Sequence, residues 1–249
     1  MEFWLEAALV CLIMFTGAFV QRVSGFGFGI VVMTVLPHVI GNFAHATALS
    51  SVVAFFSTMA VALSVVKHCD WKNLIFPLIG SFALTFPCLY YLRSAADQRS
   101  LFIGLGILLI LLSVFFFIFS AKIRFTPHWY SGLLLGSASG TMNGLFSMGG
   151  PPMVVYFLQS APDKTVYLAT IQMFFFLTNV YSNVVRILLG GFYTTEVFML
   201  APFGIAGMIA GNLVGKAVFG ALDSKKLRYV VYAFMGVSGA VTVVEAILR

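Results

Sequence analysis

Residues 143–152 read Asn143-Gly144-Leu145-Phe146-Ser147-Met148-Gly149-Gly150-Pro151-Pro152, in the middle of otherwise apolar sequence. Two prolines behind two glycines do not fit a helix interior, whereas proline suits the first turn of a new helix. One helix therefore ends here and another begins. An earlier stretch, Gln21-Arg22-Val23-Ser24-Gly25-Phe26-Gly27-Phe28-Gly29, repeats the theme with glycine at alternate positions. That spacing disfavours a regular helix and lets the backbone approach another group closely.

The sequence around these breaks belongs in a membrane. Of 249 residues, 61% are hydrophobic and 9% charged, against about 25% charged in soluble domains. Too few charges remain to cover a water-facing globule, so lipid is the solvent and the bilayer a partner. The net charge of +6 is scattered between apolar runs and suggests no nucleic-acid partner. Three cysteines, Cys11, Cys69 and Cys88, without a CxxC imply neither a disulfide framework nor a metal site. The start, Met1-Glu2-Phe3-Trp4, lacks the basic region of a cleaved signal peptide, so the first apolar run is expected to stay as a helix.

Long apolar runs at 4–21, 44–66, 74–92, 100–120, 130–146, 166–189, 197–219 and 228–247 predict eight full-length helices, and 25–41 and 149–159 predict two short ones. β-barrel alternation is absent, which leaves a helical bundle. The fold class is thus all-α, a polytopic membrane bundle in one domain, 1–249. Its two halves correspond: Gly27 and Gly149 are 122 residues apart, as are Trp71 and Tyr193, while Pro77 and Pro202 differ by 125 and Asp97 and Asp223 by 126. This predicts repeats over 1–122 and 127–249, each of about five segments with a short broken helix after its glycine-rich motif. If all ten segments cross, ten Lys and Arg fall on one side and four (Arg93, Arg99, Arg186 and Arg249) on the other, counting Arg186 and Lys216 as loop residues. The positive-inside rule then puts both termini outside, and five crossings per half make the repeats inverted.

A helix restarting at membrane depth exposes free N–H groups and a positive dipole end, a ready anion site. Glycines there serve either close helix packing or ligand binding, and recurrence in both halves favours binding. The expected substrate-binding residues are Arg22, Ser24, Gly25, Gly27 and Gly29 at the first break, and Asn143, Gly149, Gly150 and Pro151 at the second. Gln172, Asn179, Asn183 and Arg186 join them as one stripe of the following helix; a helix–helix seam is the bland alternative. All eight acidic residues lie at segment ends or in loops, so no buried carboxylate carries a proton or a cation, and an anionic substrate is favoured. His45 is the one titratable group near the first break, for proton coupling or for a structural hydrogen bond. No HExxH, GxSxG, Walker lysine or intramembrane aspartate pair occurs, so no enzyme, cofactor or metal is expected.

Gly-Phe-Gly-Phe-Gly-Ile-Val-Val-Met at 25–33 and Gly-Gly-Pro-Pro-Met-Val-Val-Tyr-Phe-Leu at 149–158 resemble the two repeat motifs of the TauE/SafE family of membrane transporters, and the likeness extends over essentially the whole chain. Phe28 stands where many relatives carry another glycine. The resemblance implies a multi-pass protein of the bacterial inner membrane that exports small sulfur-containing anions such as sulfite, sulfoacetate or related organosulfonates. Lacking a nucleotide-binding segment, it would act as a secondary transporter. A passive anion channel of the same fold, or a membrane enzyme or assembly factor without transport, are the alternatives.

Overall fold

A computed structural model describes residues 2–24, 27–94, 97–119, 126–218 and 224–248. Among them are ten α-helices and no strand: α1 (Glu2–Ser24), α2 (Phe28–Ile40), α3 (Phe43–Val65), α4 (Trp71–Ser94), α5 (Gln98–Phe119), α6 (Trp129–Phe146), α7 (Gly150–Ser160), α8 (Lys164–Leu189), α9 (Thr195–Val218) and α10 (Ser224–Leu248). Local chemistry sets several of the starts. Asn42 accepts from the His45 N–H to open α3, and Asp163 accepts from Thr165 and Val166 to open α8.

Seven of these helices are long and apolar enough to cross a membrane: α1, α3, α4, α5, α8, α9 and α10. The eighth full-length span expected, over 130–146, is α6, whose 18 residues include Gly132, Gly136, Gly140 and Gly144. Glycine at every fourth position, with Ser, Thr and Asn beside it, keeps α6 out of those seven. Helices α2 and α7, of 13 and 11 residues, reach about 20 and 16 Å at 1.5 Å per residue. Neither spans a hydrocarbon core of about 30 Å alone. Arg186 lies within the last turn of α8 and is fully buried, so it does not count as a loop charge. Lys122, Arg124, Asp223 and Arg249 lie outside the described residues.

Four helix pairs organise the bundle: α1 against α9, α4 against α6, α5 against α10, and α3 against α8. Exchanging α1–α5 with α6–α10 turns these pairings into themselves. Helices in lipid gain little from the hydrophobic effect and associate by close packing of small residues, as three of these seams do; on α5–α10 a Cβ on Gly106 would lie 2.7 Å from the Gly239 carbonyl oxygen. A Cβ on Gly136 would lie 2.3 Å from the Pro77 carbonyl oxygen, and one on Gly140 2.3 Å from that of Ser81. On the α1–α9 seam, a Cβ on Gly207 or Gly211 would fall 2.1 or 2.2 Å from the carbonyl oxygen of Cys11 or Phe15. The outer face carries exposed Leu134, Leu188 and Phe198, which suits a lipid surroundings.

Candidate functional site: a cavity where two broken helices meet

The α1–α2 and α6–α7 breaks touch. A Cβ on Gly29 would fall 2.4 Å from the Ser147 carbonyl oxygen and 3.4 Å from the Met148 Cα, so only glycine allows this crossing. Gly27, ahead of α2, has φ 105°, a conformation that strains any other residue. Ser147 takes the left-handed conformation too, at φ 56°, and its hydroxyl donates to the Thr47 carbonyl, 3.2 Å away. Such strain in a non-glycine residue persists only when its surroundings hold it.

Between the two tips lies a cavity of about 70 Å3, bounded also by the centres of α3 and α8 through Ala54, Thr58, Phe175, Thr178 and Asn179. Ala54 is the middle residue of α3, so the cavity sits halfway along the spans. A water molecule takes about 30 Å3 of liquid, and the space suits an anion of a few heavy atoms. No Lys, Arg, Asp or Glu is among its lining residues.

The donors come from the backbone and from neutral side chains. No side chain caps α2, and its first backbone bond among the described residues runs from Val31 to the Gly27 carbonyl; Phe28, Gly29 and Ile30, the first turn of α2, line the cavity. Helix α7 also starts without a side-chain cap; Pro151 and Pro152 have no N–H, so Gly150 supplies the free donor. Each helix N-terminus is worth about half a positive charge, and two together approximate one. Asn143 donates to Ser182 at 2.7 Å, and Asn179 to Thr58 at 3.4 Å; each amide nitrogen keeps a second hydrogen. The Gln21 Oε1 is buried with no partner.

The structure thus brings Gly27, Gly29, Asn143, Gly149, Gly150, Pro151 and Asn179 to one cavity. Gly25 and the Ser24 side chain lie outside the described residues. Arg22 is exposed at the end of α1, and its stem packs on Gly215 of α9, away from the cavity. Gln172 is buried elsewhere on α8, and His45 lines a separate cavity at the start of α3. Sequence reasoning missed Gln21, Thr58, Ser147 and Phe175. Gln21 was within reach, because it stands 122 residues before Asn143, the offset of the two breaks.

Asn183 and Arg186 continue the stripe away from the cavity. Asn183 donates to the carbonyls of Asn179 at 2.8 Å and Ser51 at 3.4 Å, and accepts from the Tyr193 hydroxyl. Burial pushes that phenol above its usual range, so it stays a neutral donor. Arg186 is fully buried, and its three guanidinium nitrogens have no hydrogen-bond partner. Its nearest compensation is the Phe192 ring, 5.8 Å from Cζ. An unpaired buried charge costs several kcal/mol, and such a ring returns about 2 kcal/mol.

Residues 9–242 match the family model described as "Sulfite exporter TauE/SafE". The chain belongs to the TauE/SafE family. No curated protein and no solved structure gives a significant match. The match covers nearly the whole chain, both breaks included, and fits a multi-pass membrane protein of a transporter family.

Proposed function

We propose that the protein is a secondary transporter that exports small sulfur-containing monoanions, such as sulfite or short organosulfonates, across the bacterial inner membrane. The observation that carries this reading is the meeting of two uncapped helix starts on one cavity midway along the spans, with no acidic side chain in its lining. Their summed dipole charge suits a singly charged oxyanion, and the volume of about 70 Å3 favours a small one. Family membership supports the substrate class. The repeats 1–122 and 127–249, taken as inverted with both termini outside, fit helix pairings that survive exchange of the halves. In this reading Gly25 and Ser24 complete the first half-site.

Purified protein in liposomes, loaded with sulfite and tested for counterflow of the labelled anion, decides the matter. Saturable counterflow supports a carrier. Flux that neither saturates nor shows counterflow would reassign the protein as a channel, and absence of both flux and binding would reject transport.

A further inference from the structure

Arg186 keeps its charge under any physiological condition, since a guanidinium does not deprotonate in proteins. It is fully buried, none of its nitrogens is hydrogen-bonded, and the Tyr193 hydroxyl beside it is committed to Asn183. The Phe192 ring offsets only part of the lost hydration. None of the guanidinium nitrogens meets a carboxylate among the described residues. An anion is the kind of group that would pair such a cation.

Its surroundings point the same way. One turn before Arg186, Asn183 reaches the Ser51 carbonyl on α3, and the hydroxyls of Ser50 and Ser51 in that turn are themselves buried without partners. From Asn183, hydrogen bonds lead through Asn179 to Thr58 at the central cavity. On the other side, Phe192, under the guanidinium, is also a wall of a second cavity, of about 240 Å3. That cavity lies where α3 and α5 begin and α4 ends, and Asn42, His45, Arg93 and Gln98 give it a polar, basic lining. Arg186 therefore lies between two cavities, with an aromatic ring between it and the outer one.

We infer that Arg186 is a second anion-binding site, a relay through which the small oxyanion passes between the central cavity and the outer basic one, with Phe192 closing the outer side. The transport role rests on the central cavity being the substrate site; the binding role does not. Equilibrium binding of labelled sulfite to the purified full-length protein tests both. Two sulfites per wild-type chain are expected, falling to one in Arg186→Gln with at least a tenfold loss of flux, as befits a lost charged hydrogen-bonding group. Gly150→Leu, which fills the central cavity, is expected to keep the one at Arg186. If Arg186→Gln binds and transports as wild type does, the relay is overturned and the central site stands. If the wild type binds one sulfite, lost in Arg186→Gln and kept in Gly150→Leu, Arg186 stands and the central reading falls. No binding at all overturns both. Should Arg186→Gln fail to fold, the wild-type stoichiometry still decides, because a single sulfite lost in Gly150→Leu refutes the relay.

Discussion

Gly29→Ala is the smallest change that tests whether the crossing of the two breaks makes the site. The added methyl would sit 2.4 Å from the Ser147 carbonyl oxygen, a backbone atom with no rotamer to yield. Ordinary contact begins near 3.4 Å, so the tips must part by about 1 Å. Overpacking of this kind costs about 1–3 kcal/mol, and 1.4 kcal/mol is tenfold in an equilibrium constant. If the protein relieves the strain by opening the crossing, sulfite affinity should fall about 5- to 150-fold. Gly150→Ala is the matched control: its Cβ meets only the Phe175 Cζ at 3.6 Å, an ordinary contact. Counterflow in proteoliposomes gives KM and maximal rate, and a thermal melt of the detergent-solubilised protein separates a damaged site from a damaged fold. Wild-type kinetics in Gly29→Ala, at an unchanged melting temperature, would refute the idea that this contact shapes the site.

Gly150→Leu should abolish counterflow while leaving membrane insertion and the melting temperature near wild type, since the larger side chain projects into the cavity rather than into backbone; membrane yield and flux together check it. Gly136→Ala places a methyl 2.3 Å from the Pro77 carbonyl oxygen and should destabilise the α4–α6 seam by at least 1–3 kcal/mol, read as a lower melting temperature and poorer yield. Arg22→Gln should change the KM for sulfite less than twofold, whereas Asn143→Ala should raise it about tenfold, the usual effect of losing a buried hydrogen-bonding group. Reporter tags at both ends should be accessible from the periplasm; a cytoplasmic C-terminus would reject the inverted arrangement.

Helix positions were legible because apolar runs and breakers are local signals: α3, expected at 44–66, runs from Phe43 to Val65, and α7, expected at 149–159, from Gly150 to Ser160. The breaks were legible for the same reason. What sequence could not rank was which polar residues of α8 face the cavity. Gln172 and Arg186 are 14 residues apart, about 21 Å along a helix, far longer than a cavity of about 70 Å3. A shared stripe therefore puts residues on one face without putting them in one place. Thr58 escaped notice because a threonine in an apolar helix usually bonds its own backbone, as Thr58 does to the Ala54 carbonyl at 2.8 Å; only tertiary packing shows which threonine also faces a void. Arg22 stood beside the first break in sequence, but its place in the last turn of α1 carries it outward onto α9.

The glycine seams carry a consequence for the chain as a whole. Helix α1 is fitted backbone to backbone against α9, and α6 against α4, so the best-matched surfaces of each half lie in the other. The second half made alone would present the bare glycine grooves of α6 and α9 to lipid, which cannot fill them as the carbonyl ridges of α4 and α1 do. A chain severed between Phe119 and Thr126 should therefore yield a working protein only when both fragments are made together, each serving as the mould for its counterpart.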